Sequence, residues 1–295
     1  MITVVLFAIA GAAAQLVDGT LGMGFGITSA TLLLLFGVAP AAASAGTHAA
    51  KIGTTFVSGY SHWRVGNVDR RVVVLIGIPG TVTAFIGAVV LSGLSLNAAR
   101  GWMSGLLFFF GIVIVLRYAL GVALIPRPRT GNSGRWLAPI GAVAGFVDAT
   151  GGGGWGPVAT PSLLTVTRHE PRRVVGTVNA AEFFVALGAS AGFLTGAARA
   201  EIPWPAVIGL LIGGMIMAPF AARLAGRLPH APMGTLVGTL VLLSNWLILS
   251  ITFGVAEPLA WVVGVSLTGS GIALAWRAWR HPPPTHRRRP TSESA

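Results

Sequence analysis

The sequence predicts an all-α polytopic membrane protein of two inverted-topology repeats. Each repeat is a Gly-broken helical hairpin followed by transmembrane helices, and one extra helix follows at the C-terminal end. Three observations lead there. Only 9% of the 295 residues are charged and 54% are hydrophobic, against about 25% charged in soluble domains, so the chain cannot cover itself with a wetted surface. Its apolar residues gather into runs near the roughly 20 residues that cross hydrocarbon. One half of the chain also repeats the other.

The repeat is an ordered series. Asp18, Thr20, Gly22, Gly24 and Gly26 return 130 residues later as Asp148, Thr150, Gly152, Gly154 and Gly156. Phe25 returns as Trp155, and Leu33-Leu34 as Leu163-Leu164. After a one-residue slip, Pro40 aligns with Pro171, Ala49-Ala50 with Ala180-Ala181, and Lys51 with Glu182. Gly80, Ala84 and Leu94 then align with Gly214, Ala218 and Leu228. Single matches of Gly, Ala or Leu are frequent in such a composition; the Asp-x-Thr-x-Gly-x-Gly-x-Gly order is not.

Taken in chain order, region 2–38 is two short apolar arms around a glycine-rich break at 19–26. Full-length spans follow at 42–59, 72–94 and 101–118. Region 137–167 is again two arms, around a break at 149–157, and is followed by spans at 174–195, 204–222, 233–252 and 259–276. Each arm is shorter than a comfortable span, so both regions are expected to be broken or re-entrant hairpins. The units are then a first repeat at 1–125, a cytoplasmic linker at 126–136, a second repeat at 137–254, a C-terminal transmembrane helix at 255–276 and a disordered basic cytoplasmic tail at 277–295. Residues 1–14 resemble a signal peptide in apolarity, but no basic stretch precedes them, and a related stretch recurs in mid-chain.

Charge placement sets the expected orientation. The net charge of +12 is almost all arginine, Lys51 being the one lysine among 20 basic residues. The basic connections are 60–71, 117–136, 168–173, 223–230 and the tail; the basic-poor ones are 39–41, 95–100, 196–203 and 254–258. With every basic connection cytoplasmic, and each hairpin returning to its own side, the spans alternate without contradiction. The first repeat then starts outside and the second inside, with the C-terminus cytoplasmic. This distribution is a topology signal and excludes nucleic acid as partner; Arg287-Arg288-Arg289 in the tail suits contact with anionic membrane lipid. There is no cysteine, so thiol chemistry is excluded. No ATP-binding P-loop or nucleophile-elbow motif occurs. No catalytic residue, metal or cofactor is expected.

Inverted repeats with glycine-interrupted segments at matching positions mark secondary carriers, with the site near the midplane. Glycine lets backbone N–H groups turn toward a ligand, and each break exposes a half-helix N-terminus with its positive dipole end. Gly22, Gly24 and Gly26 with Gly152, Gly153, Gly154 and Gly156 are therefore candidate anion-binding positions, close helix packing being the other reading. Four charges fall within apolar segments, Asp18, Lys51, Asp148 and Glu182, and each needs a partner or water. Lys51 and Glu182 are expected to pair across a pseudo-two-fold axis. The pair either staples the halves or presents Lys51 to an anion that Glu182 tunes. Asp18 and Asp148 are either caps for nearby N–H groups or proton-coupling carboxylates. His48 and Thr47 share a helix face with Lys51, His48 as proton shuttle or as packing residue, and Asn179 repeats the stripe before Glu182. Thr28, Ser29, Thr160 and Ser162 are possible hydroxyl donors that equally suit backbone bonding.

The break Gly151–Gly156, followed by Pro161, Leu163-Leu164 and Gly176-Thr177, resembles the TauE/SafE sulfite-exporter family, also called the toluenesulfonate uptake permeases. The first copy carries the pattern in Gly22, Gly24, Gly26, Leu33-Leu34 and Gly46-Thr47, so the resemblance covers roughly residues 10–250. Two departures stand out in the first copy: Gly-Met-Gly-Phe-Gly replaces a denser glycine run, and Thr31 stands opposite Pro161. The resemblance implies a bacterial inner-membrane carrier of sulfite, sulfonates or related small organic anions, and adds Thr177 to the substrate-binding candidates. The expected function is export of such an anion by alternating access, with Asp18, Asp148, His48 or Glu182 as proton-coupling candidates. A passive anion channel and an intramembrane hydrolase are the alternatives. Oligomeric state is left open.

Overall fold

The computed structural model describes residues 2–122, 134–167, 169–195, 202–224 and 228–283. Among them are eleven helices: α1 Ile2–Leu21, α2 Phe25–Leu35, α3 Pro40–Arg64, α4 Arg70–Gly93, α5 Leu96–Leu120, α6 Gly134–Gly151, α7 Trp155–Val166, α8 Pro171–Thr195, α9 Trp204–Leu224, α10 His230–Thr252 and α11 Glu257–Arg280. Seven of these, α1, α4, α5, α8, α9, α10 and α11, are long and apolar enough to cross a membrane. α3 is 25 residues long, but its polar stripe keeps it out of that set.

Three expectations about element bounds are corrected. The breaks are shorter than 19–26 and 149–157: helix runs through Asp18 to Leu21 and through Asp148 to Gly151, leaving only residues 22–24 and 152–154 outside it. The first arms are accordingly long, α1 having 20 residues and α6 18, so α1 by itself spans about 30 Å. α3 continues past 59 to Arg64, and α11 past 276 to Arg280, so residues 277–280, expected in the tail, are helical. Of the expected linker, 134–136 open α6; residues 123–133 lie outside the described residues, as do Arg168, Arg227 and the tail from 284.

Each first arm stops at a glycine that only a left-handed backbone suits. Gly22 has φ 71° and Gly152 φ 74°, where a Cβ would be strained. The breaks differ at their second ends, Gly24 having φ 145° and Gly154 φ −83°.

Packing follows an inside-out pattern. Asp18, Asp148, Lys51, Glu182, His48, Gln15 and His62 are buried, while Ile9, Phe56, Ile78, Phe109, Ile216 and Ile251 face outward, as lipid as solvent requires. Glycines let helices approach closely. A Cβ on Gly213 would overlap Ala8, and one on Gly209 would meet Phe7 at 2.8 Å, so α1 runs parallel along α9. A Cβ on Gly145 would overlap Gly80, and one on Gly141 would overlap Ile76, so α6 runs parallel along α4. α3 and α8 cross antiparallel, Gly59 lying on Ala180 and Gly176 on His62; α5 and α10 do the same, Gly111 on Leu242 and Gly234 on Tyr118. Phe25 rests on Gly214 and Trp155 on Gly80, each aromatic on the glycine of the other half.

The end of the bundle where α3 finishes carries Trp63, Trp136 and Trp276, with Arg70, Arg135 and Arg280 over their rings. Trp102, Trp204 and Trp261 are exposed at the opposite end. Such tryptophans sit at headgroup level. α2 returns to the end where α1 begins, because α3, which starts there, runs parallel to α9 and hence to α1.

Candidate substrate site where the two breaks meet

The two breaks abut in the middle of the bundle. A Cβ on Gly26 would lie 2.7 Å from Gly153 Cα, and one on Gly156 2.7 Å from Met23 Cα. The Thr160 hydroxyl donates to the Gly22 carbonyl across the junction. Both breaks are fully buried, from Gly22 to Phe25 and from Gly152 to Trp155.

Each aspartate reaches over its own break to the N-terminus beyond it. Asp148 Oδ1 accepts from the Trp155 N–H at 3.0 Å, and Asp18 Oδ1 from the Phe25 N–H at 3.4 Å. Both are N-terminal caps set seven residues upstream, answering donors that the helix leaves open.

Around this junction the ionisable side chains converge. Lys51 Nζ lies 2.9 Å from both oxygens of Asp148 and 2.6 Å from Glu182 Oε1. His48 Nε2 lies 3.0 Å from Asp148 Oδ2, and Nδ1 lies 2.8 Å from the Ser44 carbonyl. Both ring nitrogens thus face oxygen acceptors, so the ring bonds both only when it carries two protons. Asp18 is near enough to Lys51 and Asp148 to feel both charges. Two carboxylates therefore hold one ammonium directly, with Asp18 beyond contact, and the ammonium sits 3.1 Å from the place a Cβ would take on Gly26. The residues come from α1, α3, α6 and α8, so both halves of the chain build the cluster.

One turn from three of these charges lies a polar group with no protein partner. The Thr47 hydroxyl precedes Lys51, the Asn179 carbonyl oxygen precedes Glu182, and the Gln15 amide precedes Asp18; all are buried and unbonded, as are the Thr28 and Ser29 hydroxyls on α2. Buried polar atoms left this way call for water or a guest. Asn179 also donates its amide to Val175 O. Thr177 is elsewhere: its hydroxyl accepts from the Asp69 N–H and donates to the Arg173 carbonyl, at the end of α8 away from the cluster.

Reading the sequence did not place Asp148 on Lys51, nor Ser44, whose hydroxyl donates to the Ala149 carbonyl beside the break. It also missed Gln15 and His62. The spacing Lys51, Thr55, Ser58, His62 was the available signal for His62; Arg64 two residues on had assigned the position to a connection.

The sulfite exporter TauE/SafE family matches residues 7–248, taking in both breaks and the whole cluster. The chain belongs to this family. A TauE/SafE membrane transporter rather than an enzyme is thus established as its class. The probable membrane transporter protein YtnM of Bacillus subtilis is 44% identical over 247 residues, covering 82% of this chain and 81% of YtnM. The probable membrane transporter protein YdhB of the same bacterium is 27% identical over 208 residues, covering 70% of this chain and 83% of YdhB. No solved structure matches. Like its bacterial relatives, this TauE/SafE protein is a multi-pass membrane protein.

Proposed function

We propose that the protein is a secondary carrier that exports a small oxyanion, sulfite or an organosulfonate, by alternating access, with proton coupling. The observation that carries this reading is Lys51: one buried ammonium at the junction of two half-helix N-termini, held by Asp148 and Glu182. An oxyanion competes with Asp148 and Glu182 for the same Nζ. A proton taken up by either carboxylate removes one of the two charges that hold the ammonium and so favours an anion beside it, coupling proton and anion binding. The unbonded Thr47 and Ser29 hydroxyls are donors for anion oxygens, and the half-helix dipole ends favour negative charge. Gly22, Gly24, Gly26, Gly152, Gly153, Gly154 and Gly156 would then line the site through their backbone, and Asn179 would complete it.

Alternating access suits two inverted copies. Support comes from the packing: equivalent helices α3 and α8 are antiparallel, as are α5 and α10, and the pairs α1 with α9 and α6 with α4 exchange partners between halves. With the arginine-rich end inside, the C-terminus is cytoplasmic and the membrane is the bacterial inner membrane. One proton leaving with doubly charged sulfite carries one net negative charge outward. A potential negative inside favours that by about 2.3 kcal/mol per 100 mV.

The test is flux of labelled sulfite from proteoliposomes under an imposed potential, comparing wild type with Lys51→Met. Sulfite flux that depends on potential and is lost in the variant supports the reading. Equal flux in both removes Lys51 from the site, and single-channel currents would replace the carrier by a pore.

A further inference from the structure

We propose that the half of α3 between Lys51 and Arg64 is a proton track, with His62 as the group that passes protons between the central carboxylates and the arginine-rich face. The inference rests on the proton-coupled reading above and names the route that coupling takes.

Thr55, Ser58 and His62 follow Lys51 at steps of four, three and four, so they share one face of α3, and all are buried. Groups so spaced have Cβ atoms about 5–6 Å apart, a gap that one water molecule bridges. The Thr55 hydroxyl donates to the Lys51 carbonyl. The Ser58 hydroxyl has no partner, and neither ring nitrogen of His62 has a well-formed hydrogen bond. A buried imidazole and hydroxyl left open on one line are out of place in a merely packed helix interface. The His62 ring faces the backbone of Gly19, the residue after Asp18. Its Cβ packs on Gly176 of α8. The titratable groups on the elements around it are Asp18 on α1, Asp69 before α4 and Arg70 and Arg71 at its start, His169 and Glu170 before α8, Arg172, Arg173 and Glu182 on α8, and Arg223 in the last turn of α9.

Below His62 the track opens. A cavity of about 370 Å³ is lined by residues 65–67 with His169, Glu170, Arg172 and Arg173, and the Asn67 N–H donates to the His62 carbonyl. Two of its lining residues, His169 and Arg173, pair with Asp69 at 3.1 Å and 3.3 Å.

The aligned stretch of α8 has no such line. The aligned positions on α8 are Ala186, Ala189 and Phe193, all buried, and the Phe193 ring lies 6.0 Å from that of His48. The duplication therefore keeps the charge at the centre in both copies, while the positions beyond it are polar on α3 and apolar on α8. Along it, a proton binds one nitrogen of neutral His62 and another leaves from the second nitrogen toward Asp18 or, through Ser58 and Thr55, toward Glu182. The ring ends neutral, and the net change is one proton moved.

The experiment uses the full chain in proteoliposomes with an internal pH dye. It compares wild type, His62→Gln and Ser58→Ala in sulfite-driven proton movement and in sulfite counterflow, which needs binding and alternation but no net proton transfer. We expect His62→Gln to slow proton-coupled flux roughly 100-fold, the lower range for a positioned proton-transfer group, with counterflow retained. Ser58→Ala should slow it in the same direction, and added imidazole should restore it in His62→Ala. Proton-coupled flux in His62→Gln equal to wild type overturns the track; should that variant lose counterflow as well, undiminished proton movement in Ser58→Ala overturns it. Wild type that moves sulfite without protons overturns it too, while wild type that moves no sulfite overturns the transport reading beneath it.

Discussion

Asp148 accepts from the Lys51 ammonium, from His48 and from the Trp155 N–H, whereas its counterpart Asp18 accepts one long bond from Phe25. The two positions that the duplication makes equivalent are thus unequal in what depends on them. Asp148→Asn is expected to lower thermal stability in detergent more than Asp18→Asn does, because it alone leaves a buried ammonium short of a counter-charge. Lys51→Met leaves two buried carboxylates uncompensated, a change that costs about 3–5 kcal/mol when one partner of a buried pair is removed. Adding Glu182→Gln to Lys51→Met should recover part of that loss in the same melting assay, and a double variant no better than the single would argue against their contact. The Lys51–Glu182 pair was legible in the sequence, because the repeat aligned two opposite charges within apolar runs. The hold of Asp148 on Lys51 was not legible, since nothing in the spacing fixes how deeply a hairpin returns into the bundle.

At the scale of the helices, glycines set the distances. A Cβ on Gly213 would overlap the Ala8 carbonyl, and one on Gly145 the Gly80 carbonyl, whereas one on Gly105 meets nothing within 4 Å. Gly213→Ala and Gly145→Ala should therefore force their helix pairs apart and melt early. Gly105→Ala should be neutral or stabilising by about 0.5–1 kcal/mol, the usual gain of Ala over Gly in a helix. Equal melting of all three would remove the packing role. Hydropathy located the long helices, but it ended them at their charged residues. The arms reach past Asp18 and Asp148 because the helix runs on to the left-handed glycines Gly22 and Gly152, the Gly22 N–H still donating to the Asp18 carbonyl. Thr177 illustrates the reverse error: it falls in a shared Gly-Thr dipeptide, yet its hydroxyl ties α8 to Asp69 at the head of α4.

Over the whole molecule, the absence of cysteine makes orientation directly measurable. Single cysteines at Asn67, between α3 and α4, and at Asn97, in the first turn of α5 at the opposite end of the bundle, should react with an impermeant thiol reagent from opposite sides of the membrane, Asn67→Cys from the cytoplasm only. Labelling of both from one side would cancel the alternating order of the spans. The repeated residue order and the central position of the charges could be read from the sequence, and so could six of the seven helices apolar enough to cross; α1 was instead expected to be a short arm, and the polar α3 a full span. Which halves exchange partners could not, because glycine reports that a helix is approached closely and not by what. The contact of Gly26 with Gly153 has a mechanical consequence. Neither hairpin tips without shifting the other, so under the proposed alternating access the centre would act as a single fulcrum, opening toward one compartment closing the way to its opposite without any separate latch.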